Sequence, residues 1–325
     1  MKKAGRLAAA VFAAMLLVTG CGAPAEKKAV ETTPEQSSKI EQKEEAKNLK
    51  DAFKKDFKVG VAINPYQLKD EETKKIILEN FNSITMENGM KPEAILDQRA
   101  SENSKDGMPA INEENLAECL SLAKDNGLVL RGHCLVWHNQ TPEWFFCEKY
   151  DAGNAKVNKE TMKKRMESYI KKVLSFCQEK YPGVVYAWDV VNEACDDGGG
   201  YRTSSLWYEI YGDESYIEDA FTFARKYADK DVKLFYNDYN EYMPSKVSTI
   251  AELVKKLYDK KLIDGVGFQS HWDMNYPDTG MISDAMQKYS EIGDLEIQFT
   301  EVDMHNTDDS EEGLKKLADR YKEFF

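Results

Sequence analysis

From about residue 56 onward, short apolar runs alternate with helical stretches, and polar residues follow almost every run. No other feature of the sequence limits the possible folds so tightly. The strand candidates are Val59–Ile63, Ser83–Met86, Val129–His133, Val185–Val191, Lys233–Tyr236, Gly265–Gln269 and Glu296–Thr300. Helical patterns fill the intervals at 71–81, 113–126, 159–180, 214–229, 245–260, 280–291 and 311–325. The third of these shows the reasoning. Met162, Met166, Tyr169, Ile170, Val173, Leu174 and Cys177 recur at three- and four-residue spacing, and Pro182-Gly183 then stops the helix.

Strands alternating with helices imply an α/β protein with a parallel sheet. Two architectures compete, an open doubly wound sheet and a closed (β/α)8 TIM barrel. An open sheet concentrates its ligand groups at one switch point, whereas a barrel collects them from all its strand ends. Here Glu87-Asn88 follows the second run, His133 to His138 the third and Asn192-Glu193 the fourth. Asn237 to Asn240 follow the fifth, Gln269 to Trp272 the sixth and Glu301 to Asp303 the seventh. Polar groups at so many consecutive strand ends predict the barrel, with about seven β/α units present. No GxGxxG and no P-loop motif supports a nucleotide fold.

The folded part is expected at 51–325, and two other segments precede it. Lys2, Lys3 and Arg6 form a basic region, and Leu7 to Val18 an apolar run too short for a comfortable membrane span. Val18-Thr19-Gly20-Cys21 then resembles a bacterial lipobox, so 1–21 reads as a lipoprotein signal with Cys21 as the lipidated residue. Residues 22–50 are Ala, Glu, Lys, Thr, Pro, Gln and Ser with almost no large apolar side chain, the composition of a flexible tether. The expected location is therefore exported, on a membrane surface or facing the periplasm. A net charge of -13 makes nucleic acid an unsuitable partner, because phosphate binding needs clustered Lys and Arg. The cysteines other than Cys21, at 119, 134, 147, 177 and 195, show no CxxC and read as buried thiols with at most one or two bridges.

Two carboxylates stand out. Glu193 follows an apolar strand and Asn192, and apolar walls beside a carboxyl favour its neutral form, which suits a general acid. Glu301 ends another strand, with Asp303 two residues on and His271 closing the strand next door. A Glu–His–Asp cluster keeps a carboxylate ionised and oriented, which suits a nucleophile. Two carboxylates on one barrel face are the equipment of glycoside hydrolysis with retention, although the sequence does not exclude inversion. Plainer readings exist for other groups. Glu87 and Lys91 have the spacing of a surface ion pair, and Trp137 alone reads as core. Asn237, Asp238 and Asn240 read as turn-formers, Tyr236 and Tyr239 as packing or cleft residues, and Asp189 as structural. His133 and His138 have metal-like spacing but no third ligand group, so neither a metal nor a cofactor is expected.

Six segments, Ile84 to Lys91, Arg131 to Pro142, Trp188 to Glu193, Tyr236 to Asn240, Gly267 to Trp272 and Thr300 to Asp303, resemble the motifs of the glycoside hydrolase family 10 xylanases, in that family's order. The resemblance spans roughly residues 57 to 325 and implies an endo-1,4-β-xylanase acting with retention. It makes Glu193 the acid/base and Glu301 the nucleophile, with His271 and Asp303 supporting the latter. It places Glu87, Asn88, Lys91, His133, Trp137, Gln140, Asn192 and Gln269 on the sugar. Xylan and xylo-oligosaccharides become the expected partners of a monomer. The resemblance also implies an eighth unit following Phe325. Two other functions are weighed: a β-1,4-glucanase or mixed xylanase/cellulase on the same barrel, and a non-catalytic sugar-binding lipoprotein.

Overall fold

The computed structural model describes residues 48–325. The signal segment, Cys21 and the tether up to residue 47 lie outside the described residues. A short helix at Leu49–Ala52 starts inside the segment read as tether.

Seven strands form the main sheet: β1 (Gly60–Ile63), β2 (Ser83–Met86), β3 (Val129–Trp137), β4 (Val185–Asn192), β5 (Lys233–Asp238), β6 (Gly265–Phe268) and β7 (Glu296–Phe299). They lie side by side in chain order, and every neighbouring pair is parallel. This curled β/α sheet is the TIM-barrel fold class, with seven units among the described residues. β1 and β7 are its two edges.

The larger helices are α1 (Glu71–Asn80), α2 (Glu113–Asp125), α3 (Lys159–Lys180), α4 (Leu206–Tyr211), α5 (Ser215–Tyr227), α6 (Pro244–Asp259), α7 (Thr279–Ser290) and α8 (Glu311–Phe324). Helix α3 shows how sequence makes such an element. The Asn158 side chain accepts from the Thr161 amide at 2.9 Å, satisfying one free N–H of the first turn. Met162, Met166, Tyr169, Ile170, Val173, Leu174 and Cys177 are all buried, one stripe facing inward. The chain leaves through Tyr181, and Gly183 takes φ +76 in the turn that returns it to the sheet. Strand β4 is buried along almost its whole length, as expected of a strand covered on both faces. Each large apolar side chain so buried contributes roughly 1.5–3 kcal/mol of transfer free energy.

The strand boundaries differ from the sequence reading in ways that matter for the site. β3 continues past His133 to Trp137, so His133 lies inside the sheet rather than at its rim. β5 runs through Asp238, which places Asn237 and Asp238 in the buried sheet and not in a turn. Register shifts interrupt the β3–β4 and β4–β5 ladders, the second between Asp189 and Val191. An extra residue in one strand re-aims the side chains beyond it. Here it brings Asn192 opposite Asn237.

Beyond the sheet's upper rim, His271–Asp273 and Asp303–His305 form a two-stranded parallel ribbon. An aromatic row packs beside Trp272 of this ribbon. Phe299 of β7 meets Phe324 at 4.8 Å, and Phe325 meets Phe53 at 5.4 Å. The five described cysteines are free and buried.

Candidate active site

The site lies at the C-terminal ends of the strands, where a barrel brings its loops together. Glu301 follows β7. One carboxylate oxygen, Oε1, accepts from Asn237 Nδ2 at 2.8 Å, and Oε2 lies 3.3 Å from His271 Nε2. His271 Nδ1 in turn meets Asp303 Oδ2 at 2.8 Å. The ribbon produces this alignment by pairing His271 directly with Asp303. The expected Glu–His–Asp cluster is therefore present, built by strand pairing and not by side-chain reach alone.

The electrostatics favour an ionised Glu301. Burial works to raise its pKa, but the His271 hydrogen bond, the His133 charge and the Asn237 hydrogen bond together hold it below the ordinary value. The same contact acts on His271. Its hydrogen bond to Glu301 first, and that to Asp303 after the opposing effect of burial, push it up to about 9. At neutral pH the pair is an imidazolium beside a carboxylate.

Glu193 follows β4 in the left-handed region, at φ +56. Its carboxylate is not against apolar walls, as the sequence reading expected. Three N–H donors ring it: Trp137 Nε1 on Oε2 at 2.9 Å, and Gln269 Nε2 and Asn192 Nδ2 on Oε1 at 2.9 and 3.2 Å. The register shift between Asp189 and Val191 instead sets Asn192, one of these donors, opposite Asn237 at the end of the ladder. Asn192 Oδ1 accepts from both Asn237 and Gln269, at 2.9 and 3.1 Å. The two glutamates are thus joined through a pair of amides, Asn192 and Asn237.

A second group sits beside Glu193. Lys91 Nζ reaches Asn88 Oδ1 at 3.1 Å and lies over the Trp137 ring at 5.2 Å. It does not pair with Glu87, which stands exposed at the end of β2. Gln140 donates to Glu93 and Asn88, at 2.6 and 3.3 Å. Trp137 is only partly buried; Trp207 lies behind it in the core and donates to its carbonyl at 3.0 Å. Lys91, Asn88, Gln140 and Trp137 therefore make one polar cluster with an aromatic plane, suited to a hydroxyl-rich ring.

Beneath the glutamates lies a buried network. Arg131 donates twice to Asp189, at 2.7 and 2.9 Å, and His133 Nδ1 meets the same carboxylate at 3.0 Å. Burial opposes both charges, yet the Arg131 charge holds Asp189 below its usual range and Asp189 holds His133 above its own. His133 Nδ1 is 4.0 Å from Glu301 Oε1. His133 and His138 do not converge: His138 stands 3.9 Å from Glu193 instead.

Sequence reasoning read Asn237 as a turn-former, gave Arg131 no role, and gave Asp189 no more than a structural part. The signal for Asn237 was available. It follows its apolar run as Asn192 follows that of β4, and the two pair directly in the β4–β5 ladder. Nothing in the sequence marked the partnership of Arg131 with Asp189, because they lie 58 residues apart.

A parallel β/α sheet with carboxylates at two strand ends, bridged by amides and flanked by a sugar-compatible cluster, defines a barrel glycoside hydrolase. Residues 48–325 match glycosyl hydrolase family 10, and the chain belongs to that family. It is 48% identical over 282 residues to endo-1,4-beta-xylanase B of Butyrivibrio fibrisolvens, a match covering 86% of this chain and 44% of that protein. It is 47% identical over 244 residues to a putative endo-1,4-beta-xylanase of Caldicellulosiruptor saccharolyticus, covering 72% of this chain and 78% of the relative. Among solved structures, the N-terminal endo-1,4-beta-D-xylanase 10B of Clostridium thermocellum, complexed with xylohexaose, superposes with a TM-score of 0.77 at 40% identity. That match covers 85% of this chain and 56% of the other. The chain thus spans less than half the length of the Butyrivibrio relative.

Proposed function

We propose that this chain hydrolyses internal β-1,4-xylosidic bonds of xylan with retention of configuration. The observation that carries the reading is the pairing of two strand-end glutamates in unlike settings. Glu301 is held ionised by His271 and Asn237, and Glu193 stands among neutral donors across the amide bridge. In this reading a Glu301 oxygen attacks the anomeric carbon while the bond to the leaving glycosidic oxygen breaks. Glu193 gives that oxygen its proton. Water then attacks the anomeric carbon, passes a proton to Glu193, and the ester bond to Glu301 breaks. His271 and Asp303 hold the nucleophile. Asn88, Lys91, His133, Trp137, Gln140, Asn192, Gln269 and Glu87 bind the sugar. The names of the relatives support xylan as substrate.

Proton NMR of the products tests linkage, endo action and anomer together. Xylo-oligosaccharides released first as the β-anomer are expected, and initial release of the α-anomer would exclude retention. Glu193→Ala and Glu301→Ala are each expected to lower xylan hydrolysis by about a thousandfold or more while xylo-oligosaccharide binding persists. Sugar binding without cleavage by the wild type would favour a binding lipoprotein. Faster turnover of carboxymethyl cellulose than of xylan would favour a glucanase.

The reading extends to a monomer tethered to a membrane by a lipid on Cys21, supported by the basic region, apolar run and lipobox in register. Labelled palmitate is expected to enter the wild type and not Cys21→Ala. An eighth β/α unit between the sheet edges β1 and β7 belongs to the same proposal, since closing the barrel requires a strand there.

A further inference from the structure

Lys246 is fully buried, yet it touches neither catalytic glutamate. A buried ammonium is costly to desolvate, and an apolar side chain of the same volume would fill the space more cheaply. Its contacts lead toward the site. Nζ lies 3.0 Å from Asp238 Oδ1, 2.9 Å from Asp197 Oδ1, and over the Tyr239 ring at 3.4 Å. Asp238 is itself fully buried, and its other oxygen accepts from the Tyr236 hydroxyl. That hydroxyl oxygen then receives two backbone N–H groups, from Ala194 at 3.0 Å and Cys195 at 3.1 Å. These are the two residues that follow Glu193.

The chemistry of each link is directional. An ionised carboxylate only accepts, so Asp238 commits the phenolic hydrogen to itself and leaves both oxygen lone pairs for the two amides. Burial pushes Asp238 up to about 6, and the Lys246 charge opposes that rise, which leaves the carboxylate ionised at neutral pH. The amides so anchored belong to a turn that needs anchoring, because Glu193 is a non-glycine residue at φ +56. From the opposite side, Arg202 Nε donates to the Glu193 carbonyl at 3.0 Å, and the Glu193 amide donates to the Asn237 carbonyl at 3.0 Å.

We propose that Lys246, Asp238 and Tyr236 are positioning residues for Glu193: a buried relay that fixes the left-handed turn and so aims the acid/base carboxyl at the leaving oxygen. The inference rests on the acid/base role given to Glu193 above. A network that merely stabilised the barrel would, when broken, reduce the amount of folded enzyme and slow all substrates alike. A relay that aims the acid slows only substrates whose leaving group needs a proton.

The test compares wild type, Tyr236→Phe and Lys246→Met on two aryl β-xylobiosides. The 2,4-dinitrophenyl glycoside departs without protonation, and the phenyl glycoside requires it. The ratio of their kcat/KM values is independent of the concentration of folded enzyme, so a poorly folding variant still reports. The phenyl to dinitrophenyl ratio is expected to fall at least about tenfold in both variants, in the direction given by Glu193→Ala. A wild-type ratio in both variants would overturn the relay while leaving the xylanase reading intact. Wild-type enzyme inert toward both glycosides would instead overturn the xylanase reading.

Discussion

At the scale of single residues, the site works by giving chemically equal side chains unequal neighbours. Glu193 and Glu301 both end strands, but only Glu301 faces a charged imidazole. His271 is held charged by Glu301 and Asp303, and its hydrogen bond lowers the pKa of Glu301 in return. Removing it has a signed consequence. In His271→Asn the hydrogen bond that opposes burial is lost, so Glu301 takes up a proton at higher pH. The acid limb of the kcat/KM profile is expected to move upward, and an unmoved limb would show that His271 acts on shape alone. The buried Arg131–Asp189–His133 group lies one layer below. There the carboxylate has charge-assisted partners on both oxygens, which offsets the cost of desolvating it.

At the scale of elements, the site depends on strands that come close enough for their end groups to meet. Gly267 in β6 shows the requirement. A Cβ there would lie 2.3 Å from Asn237 Oδ1 and 3.0 Å from Thr300 Cγ2, so only glycine leaves room for the amide that bridges the glutamates. Gly267→Ala is expected to cost roughly 1–3 kcal/mol through overpacking, seen as a few degrees in Tm. It should also depress kcat, because the displaced group is Asn237. A normal kcat with a lowered Tm would show that Asn237 relaxes without disturbing Glu301. The bulge in the β4–β5 ladder is the other device at this scale. It sets Asn192 against Asn237, and strict alternation along β4 would not have done so.

At the scale of the whole molecule, burial of titratable groups sets how stability follows pH. Glu241 is buried with one carboxylate oxygen unpartnered, and burial pushes it up to about 8. Its folded pKa exceeds its unfolded one, so its contribution is complete below about 4.5 and declines as pH rises toward 8. His271 has the same sign, with its contribution lost between 6.5 and about 9. Asp189 and Glu301, both lowered, have the opposite sign and lose their contributions as pH falls below the carboxylate range. Thermal stability is therefore expected to decline from mildly acidic to alkaline pH. Glu241→Gln should flatten the lower part of that decline and His271→Asn the upper part, as measured by Tm across pH. Parallel curves for wild type and both variants would place the dependence elsewhere. The sequence by itself determined the alternation of strands and helices, the barrel class, and the strand ends that carry Glu193, Glu301, His271 and Asp303. It could do so because periodicity and strand-end position are local properties, written into a few adjacent residues. Only the tertiary structure decided that β3 and β5 run longer than their apolar runs, that Glu193 is ringed by donors, and that Lys246 reaches Tyr236 through Asp238. Those facts depend on register between strands and on partners far apart in the chain, and burial of charge is decided by what packs around it.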